Sequence, residues 1–98
     1  MQITYQKNGG ELTIAPVGRL DTQTAPELEK ILEDNLPGMT SVIFDLAELT
    51  YTSSAGLRVL LKARKAVKQR ENIRLIRVCE DVREILDMTG FTELMTVE

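Results

Sequence analysis

The sequence predicts an α/β domain on a mostly parallel sheet, with the element order ββαβαβαβ. Strand-type runs alternate with amphipathic helical segments, an order that requires crossover connections between parallel strands. Near the N-terminus a Gly-rich turn joins two β-rich runs, which adds one antiparallel hairpin. The apolar residues are almost all aliphatic, since aromatics make up 4% of the chain and Trp is absent. With 98 residues, 43% hydrophobic and 28% charged, the composition is globular, and the length suits one core and is too short for two. A single domain over residues 1–98 is therefore expected, with no room for several helical layers.

Ile3 to Gln6 and Leu12 to Val17 are the first two strands, and Lys7-Asn8-Gly9-Gly10 between them accepts positive φ readily. Gly18-Arg19-Leu20-Asp21 breaks the second strand. Thr24 then reads as the N-cap of a helix, with Pro26 in its first turn and Glu27 completing a capping box. Leu28, Ile31, Leu32 and Leu36 recur at three- and four-residue spacing and give that helix one buried face, and Leu36-Pro37-Gly38 ends it. Ser41 to Leu46 is a nearly continuous apolar run, as expected of a central strand. Leu57, Leu60, Leu61, Ala63 and Val67 predict a second helix from Ser54 to Gln69. Ile73 to Val78 is the next strand, and Glu80 to Thr89 a third helix with Gly90 in the place of a left-handed cap. Phe91 and Leu94 to Val97 supply the last short strand.

Histidine is absent, which excludes a Ser-His-Asp or Cys-His nucleophile pair, an imidazole proton shuttle and His-ligated zinc. The single Cys79 cannot form an internal disulfide and reads as a packing residue, in keeping with a reducing compartment. No stretch approaches the length of a membrane span, and MQITYQKNGG lacks the layout of a secretory signal, so a cytoplasmic location is expected. A net charge of −3 opposes wholesale nucleic-acid binding, and no aromatics are interleaved with basic residues to stack on bases. Neither GxGxxG nor GxxxxGK[ST] occurs. Asp45 and Glu48 suggest an acidic cluster at a strand end, but no ligand spacing fixes a metal there.

The most unusual local sequence is Thr50-Tyr51-Thr52-Ser53-Ser54-Ala55-Gly56-Leu57-Arg58, a hydroxyl-rich run between a strand and a helix start. Capping by Ser53 or Ser54 accounts for one hydroxyl and contributes about 1 kcal/mol. It leaves the others unexplained, and Gly56 in the first turn costs about 1 kcal/mol relative to Ala but lets another backbone or a partner approach closely. The run also lies at the carboxyl end of a parallel strand, where open α/β sheets place ligands and partners. A phosphate on Ser54 would sit beside free amides at the positive helix end. Asp21 reads either as a turn residue bonding its own backbone or as a neighbour of this rim. Arg58, Lys62 and Lys65, with Arg64, Lys68 and Arg70 adjoining, make one side of the second helix basic. That side is either a solvated face or an attraction for acidic partners.

With these residues in view, the chain resembles the STAS-domain anti-sigma factor antagonists of bacteria. The resemblance runs from Gly18-Arg19-Leu20-Asp21 through Phe44-Asp45-Leu46 and Tyr51 to Leu57, to Leu86-Asp87-Met88-Thr89-Gly90-Phe91. It implies a SpoIIAA-like fold whose helices pack largely on one face of a mixed sheet. It also implies a non-enzymatic partner switch in transcription regulation. The unphosphorylated antagonist binds an anti-sigma factor that is a serine kinase, which frees the sigma factor, and phosphorylation of the antagonist breaks the complex. By motif position Ser54 is the implied phosphoacceptor, with Ser53 as the alternative. Asp21, Thr52, Ser53, Ala55, Gly56, Leu57 and Arg58 are the implied partner-binding residues. A cognate phosphatase, no cofactor, no direct membrane contact and a monomeric free state belong to the same expectation. Regulated members commonly carry Asp before the acceptor, where this chain has Ser53. The alternative function is that of an unphosphorylated STAS subunit in a lipid-transport complex of the ABC type. A small enzyme or phosphocarrier would need a nucleophile and a general base that the sequence does not supply.

Overall fold

In the computed structural model, which describes every residue from Met1 to Glu98, the sheet is organised around one long strand, β2 (Glu11–Leu20). Along its length it pairs antiparallel with β1 (Gln2–Asn8), from Asn8↔Glu11 to Gln2↔Val17. The hairpin turn places Gly9 at φ +63°, a conformation that side chains with a Cβ rarely adopt. On its other side the first part of β2 pairs in parallel with β3 (Ser41–Asp45), from Glu11↔Ser41 to Ile14↔Phe44. Beyond β3, Gly18 to Leu20 pair in parallel with β4 (Leu49–Thr52). Two further parallel strands, β5 (Ile73–Ile76) and β6 (Thr96–Val97), complete the order β1-β2-β3-β5-β6, with β4 beside the carboxyl end of β2.

Alternation along the strands sets the core. Leu12 and Ile14, Val42 and Phe44, and Ile73 and Leu75 are all fully buried on one face. They join Leu28 and Leu32 of α1 (Ala25–Asn35), Leu60 and Ala63 of α2 (Ser54–Ala66), and Val82 and Leu86 of α3 (Glu80–Met88) in a single cluster of 21 residues. Thr13, Ala15, Asp45 and Arg74 alternate with them, point to the other face and stay partly exposed. The helices thus cover one face of a mixed, mostly parallel sheet, as expected from the sequence. No helix is long and apolar enough to cross a membrane.

Several boundaries differ from the sequence reading. Leu49 to Thr52 forms a strand rather than a loop, because β2 outruns β3 and leaves Gly18 to Leu20 free to pair. The second helix ends at Ala66 and not at Gln69: Val67 is already extended, and Arg70 to Asn72 form a separate 3₁₀ turn. The strand expected to reach Val78 stops at Ile76, because Arg77 turns to φ +54° and its guanidinium engages the Asp45 carboxylate. Phe91 does not belong to the last strand. It opens a short helical turn, α4 (Phe91–Leu94), after Gly90 at φ +80° closes α3, and only Thr96 and Val97 pair with β5.

Phe44 is fully buried at the middle of the sheet. Truncation in Phe44→Ala is expected to lower unfolding stability by about 3–5 kcal/mol. Urea denaturation checks this; a loss under about 1 kcal/mol would show that the helices do not close over this face.

Candidate functional site

The β2–β4 pairing brings two chain segments to one rim. Leu20 pairs with Thr52, and the Ser53 amide donates to the Leu20 carbonyl at 2.8 Å, so Asp21 and Ser53 leave adjacent strand ends side by side. One residue earlier, Arg19 lies opposite Tyr51 and its guanidinium sits 4.3 Å over the ring centroid.

Asp21 does not leave the strand as a free carboxylate. Its Oδ1 accepts from the Gln23 amide at 2.9 Å and the Thr24 amide at 3.1 Å, and its carbonyl accepts from the Ala25 amide at 2.8 Å. The two amide bonds, that of Thr24 foremost, hold the carboxyl below the ordinary aspartate value of 3.8. Asp21 therefore caps the entry to α1, and the expected Thr24–Glu27 capping box does not form. Instead, the Thr24 hydroxyl accepts from the Asp21 amide and donates to the Arg19 carbonyl, both at 2.8 Å, which stitches the turn closed. Asp21 is both of the things its sequence position suggested: a turn residue bonding its own backbone and a neighbour of the hydroxyl-rich run.

On the adjoining segment the two serines separate in role. Ser53 is the N-cap of α2, with extended backbone and Oγ accepting from the Ala55 amide at 3.2 Å. Ser54, the first residue of the helix, is exposed, and its hydroxyl makes no hydrogen bond within the chain. The close approach that Gly56 implies is internal. A Cβ there would lie 2.6 Å from Leu20 Cγ and Cδ2 and closer still to the Thr52 hydroxyl. Helix α2 is thus seated on the ends of β2 and β4, and this seating turns Ser54 outward.

Of the residues expected at a partner interface, Asp21, Ser53, Ala55 and Arg58 reach the surface, as does Ser54, the expected phosphoacceptor. Thr52, Gly56 and Leu57 do not: Thr52 is 2% exposed, Leu57 is 8% exposed, and Gly56 is buried. Their part is to shape the surface from beneath. Sequence reasoning missed the contribution of α1. Thr22, Pro26 and Glu29 face Ala55, Arg58 and Val59 across an open groove of about 280 Å³. Its signal was the helical period itself, since an α1 that buries Leu28 and Leu32 must bring its first turns beside α2. Asp45 lies outside this site and is held ionised chiefly by hydrogen bonds from the Arg77 guanidinium.

Comparison with known proteins agrees with this geometry. The STAS domain family matches residues 2–98. An anti-sigma-B factor antagonist of Staphylococcus epidermidis is 35% identical over 82% of this chain and 76% of its own length. BtrV of Bordetella bronchiseptica, assigned as an anti-sigma factor antagonist, is 33% identical over 99% of this chain and 85% of its own. The crystal structure of an anti-sigma factor antagonist from Mycobacterium paratuberculosis superposes with a TM-score of 0.85 at 19% identity, covering 98% of this chain and 85% of that one. The chain belongs to the STAS family, and within it to the group of the anti-sigma factor antagonists.

Two outcomes test the site. In Gly56→Ala, overpacking of about 1–3 kcal/mol against Leu20 and Thr52 should outweigh the roughly 1 kcal/mol that Ala gains in helix propensity. A net fall in unfolding stability is expected, and a variant as stable as the parent would refute the close seating. For Asp21, a lowered folded pKa means a contribution present at neutral pH and lost as pH falls through the folded value. NMR titration should give a midpoint below 3.8, and Asp21→Asn should converge in stability with the parent on acidification. A midpoint at or above 3.8 would contradict the turn geometry.

Proposed function

We propose that the chain is a phosphorylation-controlled antagonist in the cytoplasm, monomeric when free. Its bare form binds an anti-sigma factor that is also a serine kinase and thereby releases a sigma factor. The kinase then transfers the γ-phosphoryl group of ATP to Ser54. The bond from Ser54 Oγ to phosphorus forms as the β–γ bridging bond breaks, the hydroxyl proton passes to a base of the kinase, and ADP leaves. A cognate phosphatase hydrolyses the ester and restores the binding form. The observation that carries the reading is the exposed, unbonded Ser54 hydroxyl at the start of α2, beside the strand end that presents Asp21.

The chemistry of the chain suits such a switch. No hydrogen bond within the chain has to break before Ser54 Oγ can attack, whereas Ser53 Oγ is engaged with the Ala55 amide. The ester puts about −1.5 to −2 charges at neutral pH where a neutral hydroxyl stood. The first turn of α2 holds no acidic residue to repel it, and the helix end favours an anion. Phosphorylation therefore changes what the surface can bind while the fold persists.

Incubation with the cognate kinase and ATP, followed by mass spectrometry, tests the reading. Phosphate is expected on Ser54 and none in Ser54→Ala. Transfer to Ser53 alone would move the acceptor by one residue, and no transfer to either would reject the mechanism. In the second case, stable co-purification with an ATPase and indifference to Ser54→Asp would favour the lipid-transport alternative. Phosphorylated protein should keep the stability of the bare form or gain about 0.3–1 kcal/mol. A loss above about 2 kcal/mol in thermal or urea unfolding would mean that the phosphate acts by disrupting α2.

A further inference from the structure

One side of α2 runs outward without a partner from its first residue to its last turn. At 3.6 residues per turn, Ser54, Arg58, Leu61 and Lys65 follow at intervals of four, three and four and share one stripe. Ser54, Arg58 and Lys65 are exposed, and Leu61 is half-buried between the two cations. Lys68, just past the helix, is exposed as well.

The charges on this stripe are uncompensated. Lys62, on its flank, is held by Glu29 and Glu33 of α1. Arg58 and Lys65 form no ion pair, although the chain carries 15 acidic residues against 12 basic ones. The acids of α3, namely Glu80, Asp81, Glu84 and Asp87, make no ion pair either. Beside Arg58 opens the groove of about 280 Å³, with Pro26, Ala55 and Val59 among its walls.

We infer that this stripe receives an acidic segment of the partner, with carboxylates on Arg58 and Lys65 and an aliphatic side chain against Leu61. The inference rests on the partner-switch reading and supplies two things: the chemistry of the partner's surface and the way a phosphate dislodges it. Charge complementarity selects the acidic occupant, and continuity with Ser54 ties the stripe to the switch. On a helix, side chains four apart have Cβ atoms about 5–6 Å from each other. A phosphate on Ser54 therefore draws the Arg58 guanidinium to itself, which removes the cation from the partner's carboxylate and also repels that carboxylate.

Calorimetric titration of the full chain into the cognate kinase-type anti-sigma factor tests this, with circular dichroism to confirm that each variant is folded. Arg58→Glu should weaken binding about a hundredfold and Lys65→Glu about tenfold, whereas Lys7→Glu, at the hairpin end, should change it less than about twofold. Raising NaCl from about 0.05 to 0.5 M should weaken the wild type about tenfold. In Arg58→Gln, phosphorylation at Ser54 should cost at least about fivefold less than in the wild type, because the cation it captures is already gone.

Charge reversals within twofold of the wild type, with Ser54→Asp still abolishing binding, would overturn the acidic-partner inference and leave the switch standing. A wild type that binds no such kinase would remove both. A second copy could use its α3 acids on the same stripe. Sedimentation showing a wild-type dimer that Arg58→Glu dissolves, with kinase affinity unchanged, would assign the stripe to self-association and overturn the inference.

Discussion

Helix α2 can begin where it does because Gly56 has no side chain. Leu20 and Thr52, at the ends of two paired strands, fill the space that a Cβ would need. That contact sets the height and rotation of the first turn, and the rest of the site follows from it. Ser53 is left in extended backbone at the cap, Ser54 is turned to solvent, and the next exposed position on the same face is Arg58. The strand pairing beneath also fixes Asp21, whose carboxylate is tied to the turn rather than free to swing across the rim. The switch proposed here needs this rigidity, because a mobile loop would accommodate an added phosphate charge by moving away.

The electrostatics divide the site into a fixed and a variable part. Asp21 stays ionised under ordinary conditions, since backbone amides stabilise its charged form. Ser54 is the variable part in the proposed switch: its hydroxyl is neutral until phosphorylated and has no hydrogen bond within the chain to give up. The chain therefore does little work in changing state. In that proposal the free-energy difference lies in the encounter with the partner, where a phosphate costs far more to desolvate than a hydroxyl and repels a facing carboxylate. About 2.7 kcal/mol already corresponds to a hundredfold change in affinity.

Much of this was legible in the sequence, for physical reasons that differ from residue to residue. The helical period of Leu28 and Leu32, the turn at Gly9 and the left-handed cap at Gly90 rest on local geometry, and all three stand as read. The cost of a glycine in the first turn of α2 pointed to a close approach, and only the structure shows that Leu20 and Thr52 make it. What the sequence concealed depends on partners far along the chain. Leu49 to Thr52 became a strand because β2 offered it an edge, and the β5 strand ended early because Arg77 found Asp45. Thr24 looked like a cap by its spacing to Glu27, yet its hydroxyl was drawn to Arg19 while Asp21 took the amides. The burial of Thr52, Gly56 and Leu57 beneath the proposed interaction surface belongs to the same class, since a motif gives positions and not depths.

The central claim is that one outward hydroxyl determines whether this surface can be occupied. Its most direct test compares the affinity of the bare and the fully Ser54-phosphorylated chain for the same kinase-type anti-sigma factor, with nucleotide and salt held constant. The account predicts that the phosphorylated form binds at least about a hundredfold more weakly. Equal affinities for the two forms would contradict it.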